Sequence, residues 1–131
     1  MDRNELKELY PNGYKREHTH YLKDAFNINP NGVDYHTPNN VGVEFKETFA
    51  KDDKNLWFKI PKKQVDLSDV FVFCVKNENF YVVDKEDILG QYSFNTYQNR
   101  ANMRLGKVKS MAIFETNDIQ DLKIFLDQLE M

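Results

Sequence analysis

The stretch Gly32–Thr48 reads G-V-D-Y-H-T-P-N-N-V-G-V-E-F-K-E-T, and the rest of the chain is organised around it. Two strand-like runs, Gly32–His36 and Val41–Glu47, flank Thr37-Pro38-Asn39-Asn40, four residues with strong turn chemistry. The pattern predicts a β-hairpin. Side chains alternate along a strand, so Val41, Val43 and Phe45 share one face while Gly42, Glu44 and Lys46 share the other. Asp34, on the partner strand, adds a second carboxylate to the polar patch. Two carboxylates ~4 Å apart repel by roughly 4 kcal/mol at an effective dielectric of about 20. A proton, a cation or distance must relieve that repulsion. A hard divalent ion is the natural solution, because Mg²⁺ takes oxygen ligands and keeps several waters for chemistry.

The totals set the frame. With 131 residues the chain is read as one domain, 1–131, large enough for a proper core. Hydrophobic residues at 40% and charged residues at 30% fit an ordinary soluble protein. The 10 Phe and 7 Tyr point to a sheet-rich core with aromatic packing. The single cysteine, Cys74, lies within the apolar run Val70–Val75 and cannot form an internal disulfide. That places the expectation in a reducing compartment, intracellular and cytoplasmic. The polar start from Asp2 to Lys7 does not read as a signal peptide, and no apolar run approaches the ~20 residues of a membrane span. A net charge of −3 argues against a protein that binds nucleic acid over its whole surface, though not against a local basic face.

Read in order, Asp2 caps a short helix with Glu5 in the reciprocal position, and Pro11-Asn12-Gly13 ends it. A second helix is expected over Tyr14–Phe26, with Tyr14, Tyr21, Leu22, Ala25 and Phe26 on its apolar stripe. After the hairpin come a charged loop at Lys51–Asn55, a strand at Leu56–Ile60, and a short helix opened by Pro61 and running through Leu67. Val70–Val75, V-F-V-F-C-V, reads as a strand covered on both faces. Phe80–Val83 is another strand, and Asp84–Leu89 a helical turn ended by Gly90. Gln91–Gly106 shows no clear period, and Lys107–Glu115 reads as an edge strand. Asn117 is expected to cap a last helix with Ile119, Leu122, Phe125, Leu126 and Leu129 on one stripe. The expected fold class is α/β, a mixed sheet flanked by helices.

Asp34, nine intervening residues, then Glu44-x-Lys46 resembles the PD-(D/E)xK nuclease superfamily, which includes type II restriction endonucleases and Holliday-junction resolvases. The wording V-D-Y-H followed by E-F-K-E-T is similar to the RecU type of junction resolvase. Val33 stands where the superfamily's name-giving proline would be, and 131 residues leave no room for the arm and stalk of RecU-type enzymes. The resemblance spans roughly Tyr14 to Ile88 and implies a restriction-endonuclease-like fold. It implies an endodeoxyribonuclease in which Asp34 and Glu44, with the backbone carbonyl of Phe45, hold Mg²⁺ (or Mn²⁺ as a substitute). Lys46 would orient the attacking water and offset transition-state charge. Glu17, central in the preceding helix, would add an acid, and Gln64 would reach the site from the helix after the third strand. The implied partner is DNA, cut to leave a 5′-phosphate, and the implied assembly is a homodimer with no membrane association.

Each candidate has a plainer reading. Glu-x-Lys on a strand is also how a solvated surface pair looks, and Glu17 beside Arg16 is also a helix-surface acid. Gln64 and Lys59 are equally read as solvated polar residues. His18 and His20 lie two apart on a helix, about 200° around it, so they do not face one zinc ion. His36 shares Asp34's strand face and is a candidate flank for substrate. Arg100, Arg104, Lys107 and Lys109 fall in a stretch without acids, with Tyr97, Gln98, Asn99 and Asn102 nearby. They are expected to lie along DNA, with the balancing of an acidic last helix as the alternative. Retention of the nuclease fold as a non-catalytic module, binding nucleic acid or a protein partner, is the rival class.

Overall fold

A computed structural model describes residues 22, 25–28, 32–48, 57–76, 78–90 and 100–130. The hairpin forms because Thr37 closes its turn three times over. Its carbonyl accepts from Asn40 N at 2.8 Å, its N–H donates to Val41 O at 3.0 Å, and its Oγ1 accepts from Val41 N at 3.0 Å. Asn40 sits at φ 63°, the left-handed region that asparagine tolerates better than most residues. Strands β1 (Tyr35–His36) and β2 (Gly42–Thr48) leave this turn antiparallel, with Tyr35 opposite Val43 and His36 opposite Gly42.

The chain continues through β3 (Trp57–Pro61), α1 (Lys62–Leu67), β4 (Val70–Val75), β5 (Asn79–Asp84) and α2 (Lys85–Gly90). It closes with β6 (Arg100–Arg104), α3 (Leu105–Met111), β7 (Phe114–Thr116) and α4 (Ile119–Gln128). Five strands form a mixed sheet in the order β1-β2-β4-β5-β7, in which β2 and β4 are parallel and the other pairs antiparallel. β3 and β6 pair separately as an antiparallel ribbon. The fold is α/β, as expected.

β4 is apolar throughout because both of its faces are covered. Phe71, Phe73 and Val75 join Phe58, Ile60, Val65, Ala101, Met103 and Val108 beneath the ribbon, α1 and α3. Val70, Val72 and Cys74 join Leu22, Phe26, Val41, Val43, Phe45, Leu122 and Leu126 beneath α4 and the helical residues near Phe26. Burial holds the Cys74 thiol pKa well above its ordinary value, so it is an inert apolar filler.

Several expectations change. Gln91–Gly106 contains β6, whose signal is the alternation of Ala101 and Met103, both buried, between charged and polar neighbours. Lys107–Glu115 is not one strand: Leu105 and Val108 bury the inner face of α3, and only Phe114–Thr116 extends. Pro61 ends β3 in an extended conformation and caps α1 rather than opening it. Asp118, not Asn117, caps α4, its Oδ1 accepting from Gln120 N at 2.7 Å and Asp121 N at 3.1 Å. The helix expected from Asp2, most of the one over Tyr14–Phe26 and the Lys51–Asn55 loop lie outside the described residues. Among those described, no helix is long and apolar enough to cross a membrane.

Candidate active site

The hairpin ladder stops at Tyr35, and carrying its register one residue further sets Asp34 across from Glu44. There the side chain takes over from the backbone. Asp34 Oδ2 accepts from Phe45 N at 2.8 Å, in place of the ladder bond that β1 no longer supplies. The N–H and C=O of one strand residue point to the same edge, so the Phe45 carbonyl also looks toward the Asp34 side. The Phe45 ring points the other way, into the core against Phe26.

Glu44 and Lys46 stand two apart on one face of β2, with Lys46 Nζ 3.7 Å from Glu44 Oε1. Lys46 Nζ also donates to Gln64 Oε1 of α1. In register beside them on β4 lie Phe71, next to Glu44, and Phe73, next to Lys46. Asp34 is only 7% exposed and Glu44 5%, so the face expected to look outward is largely covered. The reason is tertiary: α1 and the β3–β6 ribbon pack over that side of the sheet. This is not a solvated surface pair. Buried charges are tolerated only when paired and hydrogen-bonded, and here they are. Burial lowers the Lys46 pKa below its ordinary value, while Glu44 and Asp34 pull it back up.

Four of the expected site residues therefore converge: Asp34, Glu44, Lys46 and Gln64, joined by the Phe45 backbone. Among the described residues no three of His, Cys, Asp and Glu gather around one point. The donor set is two carboxylates and a carbonyl, all hard oxygen. That fits Mg²⁺, which is held by one or two carboxylates and fills its remaining positions with water, better than it fits zinc.

Other expectations fare differently. Glu17, His18 and His20 lie outside the described residues. His36 is exposed beside Gly42. Lys59 pairs with Asn102 within the ribbon. The basic stretch is not one continuous strip, because Arg100 and Arg104 end β6 while Lys107 and Lys109 ride on α3.

Three supporting residues were not anticipated. Asp69 clamps the start of β2, its N–H donating to Gly42 O and its Oδ2 accepting from Gly42 N, both at 2.8 Å. A Cβ at Gly42 would meet Val33 Cγ1 at 3.3 Å, so a larger residue there would need Val33 to give by a few tenths of an ångström. Tyr35, next to Asp34, donates its hydroxyl to Asp127 Oδ1 of α4 at 2.6 Å and accepts from Lys123 Nζ at 3.1 Å. Asn39 Nδ2 donates to the Leu129 carbonyl at 3.1 Å, so the end of α4 holds the hairpin at two points. No local pattern signals contacts that span about ninety residues. No family model matches the chain, nor does any curated protein or solved structure.

Proposed function

We propose that this chain is a Mg²⁺-dependent endodeoxyribonuclease of the PD-(D/E)xK kind. The observation that supports it is the cluster of Asp34, Glu44, Lys46 and Gln64, drawn together from three separate segments onto one covered side of the hairpin. Asp34, Glu44 and the Phe45 carbonyl would hold the ion, which when bound polarises the scissile phosphate and acidifies a water. Lys46 has the remaining work. Its ammonium, set beside Phe73 and steadied by Gln64, aligns the attacking water and offsets charge building on the phosphate oxygens. Gln64 fixes where that ammonium sits and can itself accept a water's hydrogen. One such site cuts one strand, so duplex or junction cleavage calls for two copies.

A non-catalytic module is the second reading, favoured by the way Asp34 already accepts from Phe45 N and Glu44 already pairs with Lys46. A Mg²⁺ titration with supercoiled plasmid, linear duplex, single-stranded and four-way-junction DNA separates the two. The nuclease reading expects cleavage of at least one substrate, stopped by EDTA and abolished in Glu44→Gln and Lys46→Met. DNA bound but uncut at every Mg²⁺ concentration selects the module. Full activity in either variant removes that residue from the site.

A further inference from the structure

Lys62 and Lys63 open α1 immediately ahead of Gln64, the side chain that holds Lys46. Both are exposed, and among the described residues neither has an ion-pair or hydrogen-bond partner; Asp66, one turn on, pairs with neither. The residue before them, Pro61, is opposite Arg100 in the β3–β6 ladder, which brings a third cationic residue to the same end. Arg104 sits at the other end, opposite Trp57, ~14 Å away at ~3.4 Å per residue.

Lys107 and Lys109 are carried by α3 rather than by α1 or the ribbon. Lys109 Nζ stands 5.9 Å from the centroid of the Tyr81 ring. Tyr81 is in register with Phe73, which is in register with Lys46, so two strand spacings of ~4.8 Å separate Tyr81 from Lys46. Phe58 packs edge-on against Phe73 in between, ring centroids 4.7 Å apart. Of these basic residues only Lys62 and Lys63 adjoin, along the chain, the glutamine that holds Lys46; Arg104 lies at the far end of the ribbon and Lys109 over Tyr81.

We propose that Lys62 and Lys63, at the Pro61–Arg100 end of the ribbon, form the landing for the phosphodiester strand whose scissile phosphate lies at Lys46. The inference rests on the nuclease reading for its substrate and on charge complementarity for its location. In a chain of net charge −3, an uncompensated cationic pair beside the site is where a polyanion gains most. Adjacent Cα atoms are ~3.8 Å apart, so the Lys63 ammonium reaches phosphates close along the strand to the one at Lys46. Lysine meets phosphate as a point charge and carries no base information, so this landing binds without sequence preference. Both lysines are positioning residues.

The test measures binding of labelled single-stranded and duplex DNA in EDTA as KCl is varied. The proteins compared are the wild type, Lys62→Ala/Lys63→Ala and Lys107→Ala/Lys109→Ala, each checked for an unchanged melting temperature. Losing two phosphate contacts should flatten the duplex salt slope by about 1.8 in Lys62→Ala/Lys63→Ala, more than in the α3 pair. With Mg²⁺ its KM for cleavage should rise several-fold at constant kcat. Lys62→Gln/Lys63→Gln provides a second variant that keeps the side-chain length. An equal or larger loss in the α3 pair, or a wild type that does not bind DNA, overturns the landing. Wild type that binds with the expected slopes but never cuts overturns the nuclease reading alone.

Discussion

Asp34 serves two masters: one carboxylate oxygen holds Phe45 N, and the charge faces Lys46. Asp34→Ala strands a buried N–H and should cost about 1–3 kcal/mol in urea unfolding, while Asp34→Asn keeps an acceptor and costs less. Both should lose cleavage, which separates the structural role from the chemical one. Lys46 supplies a pH signature. Its folded pKa lies below the ordinary 10.5, so the unfolded chain binds the proton more tightly. Its contribution therefore raises stability as pH climbs from the folded pKa toward 10.5, and is unfavourable at lower pH. The difference in unfolding free energy between wild type and Lys46→Met should rise with pH across that window. A flat difference would place Lys46 in a wetter setting. Glu44 and Lys46 were legible in the sequence because strand alternation has a period of two; their burial was not, since it depends on what packs above them.

At the scale of elements, the caps and turns are short-range and mostly readable. Asn40 at φ 63° ends the hairpin turn, and Asn40→Ala should lose about 1–2 kcal/mol by chemical denaturation, whereas Asn40→Gly should be nearly neutral. The tight turn at Thr37–Asn40 and the apolar strand β4 followed directly from residue type. β6 did not, because arginine and asparagine around Ala101 and Met103 hide a two-residue alternation inside a polar stretch. α3 was missed for a related reason. Its inner face needs only Leu105 and Val108, too few apolar positions to declare a helical period.

Across the whole molecule, the β3–β6 ribbon is the decisive feature, since it roofs the side of the sheet that carries Glu44 and Lys46. Phe73 is fully buried and meets Phe58 at 66°. Phe73→Ala should cost about 3–5 kcal/mol in urea unfolding. It should also speed amide exchange across the β3–β6 pairs, because the ribbon then loses its ring contact with the sheet. Unchanged exchange there would mean that other contacts hold the ribbon in place.

The sequence by itself determined the hairpin, its turn, the two faces of β2, the doubly covered β4 and the apolar stripe of α4. Each is a local pattern of side-chain period or turn chemistry, complete within a few residues. Only the tertiary structure decided that Gln64 touches Lys46, that Tyr35 is held by Asp127 of α4, and that the polar face is roofed by a separate ribbon. Those contacts join residues far apart in the chain, and the free energy that selects them comes from burying both faces of one sheet at once.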